Sequence, residues 1–236
     1  MLYLYDNQIE VIQNLEFANA LEYLYLQNNQ IKQIPNLNMK SLRKLHLDDN
    51  EISVLSGLTE CSQLVELSIA RQRLPSFGSL QVEPQSLMAI SYTLEALDIS
   101  GNGISKLSPF VALYNLRRFN ADDNNIIDIP EIELIVALPN MAVASFNNNP
   151  CCRLFKYRDM VISASSDSLT DLDGIPIQKH QQIAVKGLMD HRRKIGAMTR
   201  FQTSTSQEGS SYQPRELGSG SLEGGDSFVI RGHGHH

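Results

Sequence analysis

One spacing of apolar and polar positions recurs along the chain. An apolar residue is followed by two variable positions, an apolar, a variable, an apolar, two variable positions, an amide and then another apolar. Leu21, Leu24, Leu26, Asn29 and Ile31 show it, and Leu42, Leu45, Leu47, Asn50 and Ile52 repeat it. The central apolar pair alternates with period two, which puts both side chains on one face of a short strand. The residues between and after them face the other way. The later apolar positions must cover the far side. A unit of about 22 residues leaves little room there, so short 3₁₀ turns are expected more than full helices.

Seven units are legible, with ladder positions Asn7, Asn29, Asn50, Gln72, Asn102, Asn124 and Asn149 at steps of 22, 21, 22, 30, 22 and 25 residues. The first unit lacks its leading leucine and reads as truncated, with an uncapped edge strand. Gln72 replaces Asn in the fourth. The sixth and seventh exchange some leucines for Phe119, Ala121, Ala144 and Phe146. The ladder amide turns the chain away from its strand and pairs backbone groups that would otherwise be buried alone, at roughly 1–3 kcal/mol each. This is a leucine-rich repeat. It predicts an α/β solenoid with a curved parallel sheet on the concave face and 3₁₀ turns or short helices on the convex face. Its leucines are buried only by stacking, at roughly 1.5–3 kcal/mol each.

The rhythm breaks twice. The fourth unit is eight residues too long, and Gln85 to Tyr92 is expected as a short helix on the convex face. The sixth is three too long, and 131–138 reads as a helical turn. Two readings stay open for both: padding, or a second contact surface. After Asn149-Pro150 the pattern changes. Residues 151–177 are expected to seal the last repeat with Met160, Val161, Ile162, Leu169, Leu172 and Ile175. Residues 178–202 read as an amphipathic helix with Ile183, Leu188, Met189 and Ile195 on one side and Lys186, Arg192, Arg193, Lys194 and Arg200 on the other. Residues 203–236 are Ser/Gly-rich and expected to be disordered.

Composition narrows the function. Apolar residues make up 42 % of the 236, enough for a continuous core. A net charge of −6 disfavours nucleic acid as the main partner. No apolar stretch approaches the roughly 20 residues of a membrane span, and the start lacks the basic region of a secretory signal. Three cysteines without flanking clusters do not read as extracellular disulfide caps, so a reducing cytoplasm is expected. Cys61 reads as a buried core residue, and Cys151–Cys152 lack further ligands spaced for a metal. No nucleophile elbow, zinc-ligand pair or phosphate-binding loop is present, so neither an enzyme nor a cofactor is expected.

Binding is therefore expected on the strand face. Tyr3, Tyr5, Tyr23 and Tyr25, with His46 beside them, form an aromatic cluster at one end. Asp48, Asp49, Glu66, Asp98, Asp122 and Asp123 form an acidic strip along the middle. Tyrosines offer large contact area at low entropic cost, and carboxylates in a groove favour a basic partner. The bland alternative is a polar surface that confers solubility.

The units and the ending NP…KYRD…LTDLDG resemble the Sds22-like family of leucine-rich repeats, over roughly residues 1–178. LYLYDNQI (2–9), LYLQNNQI (24–31), RQRLP (71–75), SLQVEPQSL (79–87) and LDISGNGI (97–104) are similar to its testis regulatory subunits of protein phosphatase 1. The resemblance implies a non-catalytic regulator that binds the phosphatase 1 catalytic subunit in the cytoplasm, associated with cytoskeleton, microtubules and centrosome or manchette. RLPSF (73–77) carries Leu where a phosphatase docking motif has Val or Ile, so the contact is expected on the concave face. The other expectation is a cytoskeletal or ciliary adaptor that meets tubulin or an axonemal protein through the basic helix.

Overall fold

A computed structural model describes residues 1–15, 17–189 and 191. Each repeat supplies one strand of two or three residues: β1 (Leu2–Tyr3), β2 (Tyr23–Tyr25), β3 (Lys44–His46), β5 (Glu66–Ser68), β7 (Ala96–Asp98), β8 (Arg118–Asn120) and β9 (Val143–Ser145). They pair in parallel and in chain order, with Leu2, Leu24, Leu45, Leu67, Leu97, Phe119 and Ala144 in register. Pairing runs on into the turns, where Asn28 N donates to Asp48 O and Asp49 N to Ala70 O, each at 2.9 Å. This is the expected solenoid.

The core is one continuous apolar cluster from Ile12 to Ile177. Its filling changes along the stack. Leucines fill the early repeats, whereas Ala121 and Ala144 leave room that phenylalanines take up. Phe110, Phe119 and Phe146 form a chain of tilted rings with centroids 6.0 and 5.9 Å apart. Large and small residues thus exchange volume between neighbouring repeats, as close packing requires.

The convex side carries the long units. β4 (Val54–Leu55) and β6 (Gln81–Val82) make a small parallel sheet there. The helix expected over 85–92 is α1 (Pro84–Ile90), started by a proline in its first turn. Ser108–Ala112 is a 3₁₀ turn. The turn expected at 131–138 is α2 (Ile129–Val136), shifted two residues earlier and again opened by proline.

The end of the array is a further half-repeat that the spacing rule did not count. After a 3₁₀ turn (Pro150–Arg153) and α3 (Tyr157–Ala164), the LTDLDG segment adds β10 (Asp171–Leu172) parallel to β9. The chain then reverses into β11 (Ile175–Pro176), antiparallel to β10. Val161, Ile162, Leu169 and Leu172 are buried as expected. Ile175 is exposed and Ile177, two residues on, is buried in its stead. Arg158 fixes the hairpin by donating to Leu172 O and Ile175 O at 2.9 and 3.0 Å.

Residues 179–189 are helical. The apolar side expected for this helix does not face the core. Ile183 and Leu188 are 65 % and 52 % exposed, while Gln182 is buried and donates to Ser165 Oγ and Ser166 O. Residues 192–202 of the expected helix and the tail 203–236 lie outside the described residues. No helix among the described residues is long and apolar enough to cross a membrane.

Candidate functional site

The ladder amides make the strand face rigid. Asn50 Nδ2 donates to Leu26 O, Leu47 O and Asp48 O at 3.0–3.2 Å, and its Oδ1 accepts from Ile31 N at 3.0 Å. Asn124 donates to Ile99 O, Ala121 O and Asp122 O and accepts from Asn102 N and Ile104 N. Asn29, Asn102 and Asn149 repeat the pattern. Gln72 does the same with its longer arm, reaching Leu47 O and accepting from Ile52 N. Each amide ties its own turn to the preceding repeat. Asn7 makes only its two local bonds, to Leu4 O and Tyr5 O, and is exposed.

The residue before each ladder amide has a left-handed backbone: Asp6, Asn28, Asp49, Arg71, Gly101, Asp123 and Asn148 have φ between 51° and 68°. Asp, Asn and Gly are the residues that tolerate this region. Asp49 and Asp123, placed in the acidic strip from sequence, therefore also answer a demand of the turn.

The aromatic cluster forms. Tyr3 stacks on Tyr25 at 4.9 Å, Tyr5 meets Tyr3 edge-on at 6.1 Å, and His46 tilts against Tyr25 at 5.0 Å. Tyr3 and Tyr5 are 58 % and 49 % exposed. Tyr23 lies half-buried in the next row, in register with Lys44.

The acids meet a different fate. Asp48 is buried, and its Oδ1 accepts from Ser68 Oγ and Ala70 N at 2.5 and 2.7 Å. Asp98 accepts from Ser100 N, Ser100 Oγ and Asn120 Nδ2. Asp122 accepts from Ser145 Oγ at 2.7 Å and Asn147 N at 2.6 Å. Asp49 takes a bidentate Arg71, and Asp123 accepts from Asn148. Most of these bonds reach one repeat forward. The strip is a second ladder, and most of its acceptor capacity is already engaged.

Glu66 sits where the two halves meet. Lys44 Nζ and His46 Nε2 approach its carboxylate at 3.0 and 3.1 Å, and Arg118 Nη2 at 3.6 Å. Burial pushes the Glu66 carboxyl up, but Lys44 and His46 outweigh it and hold it below its ordinary value. The hydrogen bond to Glu66 in turn raises Lys44. Sequence reasoning missed Lys44 and Arg118. Their signal was the strand register, which puts Lys44, Glu66 and Arg118 in one row with Ala96. Beyond this knot a groove of about 470 Å³ is lined by Ser68, Asp98, Asn120, Asp122, Ser145 and Asp171 among others. Asp171 Oδ1 is buried there without a partner among the described residues.

Two further expectations can be placed. The RLPSF segment is an exposed bend with Phe77 fully exposed at φ 64°. Of the basic helix side, Lys186 pairs with Asp167 at 2.6 Å, and Arg192, Arg193, Lys194 and Arg200 lie outside the described residues. No cluster of three or more ligating side chains suited to a metal occurs among the described residues.

Models of leucine-rich repeats match residues 1–39, as two copies, and residues 92–106, as one. Among solved structures the chain is similar to an internalin (InlF) of Listeria monocytogenes, at 27 % identity and a TM-score of 0.59, over 75 % of this chain and 47 % of that one. It is similar to internalin C2 of the same organism at 18 % identity and TM-score 0.54, over 72 % and 68 %. It is also similar to a chain of the Drosophila melanogaster SNF/U2A′ complex at 18 % identity and TM-score 0.51, over 66 % and 87 %. The chain spans about half the length of the first internalin. The two likenesses at 18 % speak for the fold alone. Together with the repeat matches they show a leucine-rich-repeat solenoid fold.

Proposed function

We propose that this leucine-rich-repeat chain is a non-catalytic regulatory scaffold that docks the catalytic subunit of protein phosphatase 1 on its concave face, in the cytoplasm and at the centrosome or cytoskeleton. The observation that carries the docking face is the ring stack Tyr3–Tyr25–His46, ended by the exposed Tyr3 and with the exposed Tyr5 edge-on beside it. Stacked rings on a rigid sheet lose little entropy on binding and present a wide, partly apolar anchor. The knot of Lys44, Glu66 and Arg118 and the groove beyond it add directional polar contacts. The phosphatase reading rests on the resemblance of the NP…KYRD…LTDLDG ending and of the long fourth unit.

The geometry selects the variants for the test. Charge reversal at Asp48 or Asp122 would break repeat-to-repeat hydrogen bonds, so loss of binding there would not report on contact. Tyr3→Ala/Tyr25→Ala removes one exposed and one half-buried ring, and Arg118→Glu alters an exposed side chain. Binding of purified phosphatase 1 catalytic subunit is measured by calorimetry against wild type. The double tyrosine variant weakens binding by about tenfold or more, roughly 1.4 kcal/mol, while it remains folded at the temperature of the measurement. Equal affinity of wild type and double variant sinks the concave-face reading. Loss of binding in Phe77→Ala alone would move the contact to the exposed bend.

A further inference from the structure

The exposed bend after the fourth ladder amide is not used by the docking face. The chain there reads Arg71, Gln72, Arg73, Leu74, Pro75, Ser76, Phe77. Counted back from Ser76, arginines stand at the third and fifth positions, and a phenylalanine follows it directly. No other serine or threonine of the 236 residues has arginine at both of those positions. Kinases select substrates by such charge patterns, because carboxylates in the substrate cleft bind arginines at fixed distances from the acceptor.

The backbone supplies an independent observation. Pro75 to Gly78 form a turn closed by Gly78 N donating to Pro75 O at 2.7 Å. Phe77 is its third residue and has φ 64°, the left-handed region that such a turn reserves for glycine or asparagine. Phenylalanine is strained there, and its fully exposed ring makes no buried contact that would offset the strain. Ser76 beside it is exposed as well. Opening this turn gives up its hydrogen bond and releases the strain. The segment is thus ready to extend into a cleft, with the serine hydroxyl and an apolar ring side by side.

The arginines are presented at the surface too. Gln72 between them is buried as a ladder amide, while Arg71 and Arg73 are exposed. Both engage Asp49. Arg71 pairs bidentately with its carboxylate, and Arg73 donates to its main-chain carbonyl and to that of Asn29. An exposed ion pair of this kind contributes little to stability, so the carboxylates of a kinase cleft can take the place of the Asp49 side chain.

We propose that Ser76 is a phosphorylation site read by a serine kinase of the arginine-selective class. The Ser76 hydroxyl oxygen attacks the γ-phosphorus of ATP. An oxygen–phosphorus bond forms to the serine as the bond from that phosphorus to the bridging β-oxygen breaks. ADP leaves with the electron pair, and the hydroxyl proton passes to a carboxylate base of the kinase. The bend thereby gains a charge of about −1.5 to −2 near neutral pH. The site does not depend on what the ring stack of the concave face binds.

The test incubates the folded full chain with the catalytic domain of protein kinase B, a kinase of that class, and Mg-ATP, and locates phosphate by peptide mass. The expected result is one phosphoryl group on Ser76, lost in Ser76→Ala. Arg71→Ala and Phe77→Gly each slow the reaction several-fold. Phe77→Gly does so without lowering the melting temperature, because glycine suits the left-handed position. Asp49→Asn removes the carboxylate that holds Arg71 but keeps a side chain that tolerates the left-handed backbone, and it speeds the reaction several-fold. Three results overturn the proposal: a wild-type chain labelled only after denaturation or not at all, label on Ser79 in place of Ser76, or a rate unmoved by both Arg71→Ala and Phe77→Gly.

Discussion

The two halves of the concave face follow the same backbone rule and differ in what is left free. In the first half, Tyr3, Tyr5, Tyr25 and His46 touch one another through ring faces and edges. Such contacts leave the remaining ring surface open to a partner. In the second half, Asp98 and Asp122 point to the same side of the sheet, yet their oxygens already accept from Ser100, Asn120, Ser145 and Asn147. Facing outward and being available are separate properties. Strand alternation decides the first, and the donors of the same and the next repeat decide the second.

The largest effect that tests this contrast lies under the face. Asn124→Ala removes a buried amide that serves three carbonyls and two main-chain N–H groups. Leaving several of these unpaired costs about 3 kcal/mol or more in a urea titration. Asn7→Ala, with two exposed local bonds, costs less than about 0.5 kcal/mol. Similar losses at the two positions would mean that the inter-repeat bonds carry no weight.

A middle-sized effect compares the halves directly. Asp122→Ala removes a charged acceptor from Ser145 Oγ and Asn147 N and lowers stability by about 2 kcal/mol. Tyr3→Ala gives up one stacked pair with a ring already more than half exposed, and lowers stability by about 1 kcal/mol or less. Binding reverses the order. The tyrosine variant loses partner affinity, and the aspartate variant keeps it once measured well below its melting temperature. If Asp122→Ala leaves the urea midpoint untouched, the second ladder does not stabilise the fold.

Much of the fold was legible because each repeat states it again. Leu-x-Leu fixes the inward face, and a buried amide at every ladder step after the first fixes the turn. What the spacing hid were features written only once or written between repeats. The terminal hairpin is legible in LTDLDG only after Asp173 is seen in the left-handed position that Asp6 and Asp49 occupy upstream. The helix after residue 178 shows an apolar set at helical spacing, but Gln182 docks on Ser165 and Ser166, and Ile183 turns away. Periodicity says that a side exists, not that something covers it. The pairs Asp48 with Ser68 and Asp122 with Ser145 sit about one repeat apart, and complementary polar residues at that separation were the available clue.

The smallest effect falls at the junction of the halves and is read through pH. Glu66 is held below its ordinary carboxyl value of 4.5 by Lys44 and His46 acting against burial. The unfolded chain therefore binds its proton more readily. This contribution is fully present above the unfolded value and is lost as pH falls through the folded one. Asp173 is shifted the other way, with burial first among the causes, from an ordinary value of 3.8. The folded chain then holds that proton more tightly, so its contribution is present at low pH and fades as pH rises past 3.8. Glu66→Gln should flatten the acid limb of stability measured by urea midpoints. Asp173→Asn, which keeps an acceptor for Phe146 N, should do the reverse and gain on wild type towards neutral pH. Each difference is expected to stay under about 1 kcal/mol, because these groups are partly screened by solvent. Equal slopes in the two variants would show that the knot around Glu66 does not separate the halves electrostatically. The contrast between the halves would then rest on rings and hydrogen bonds alone.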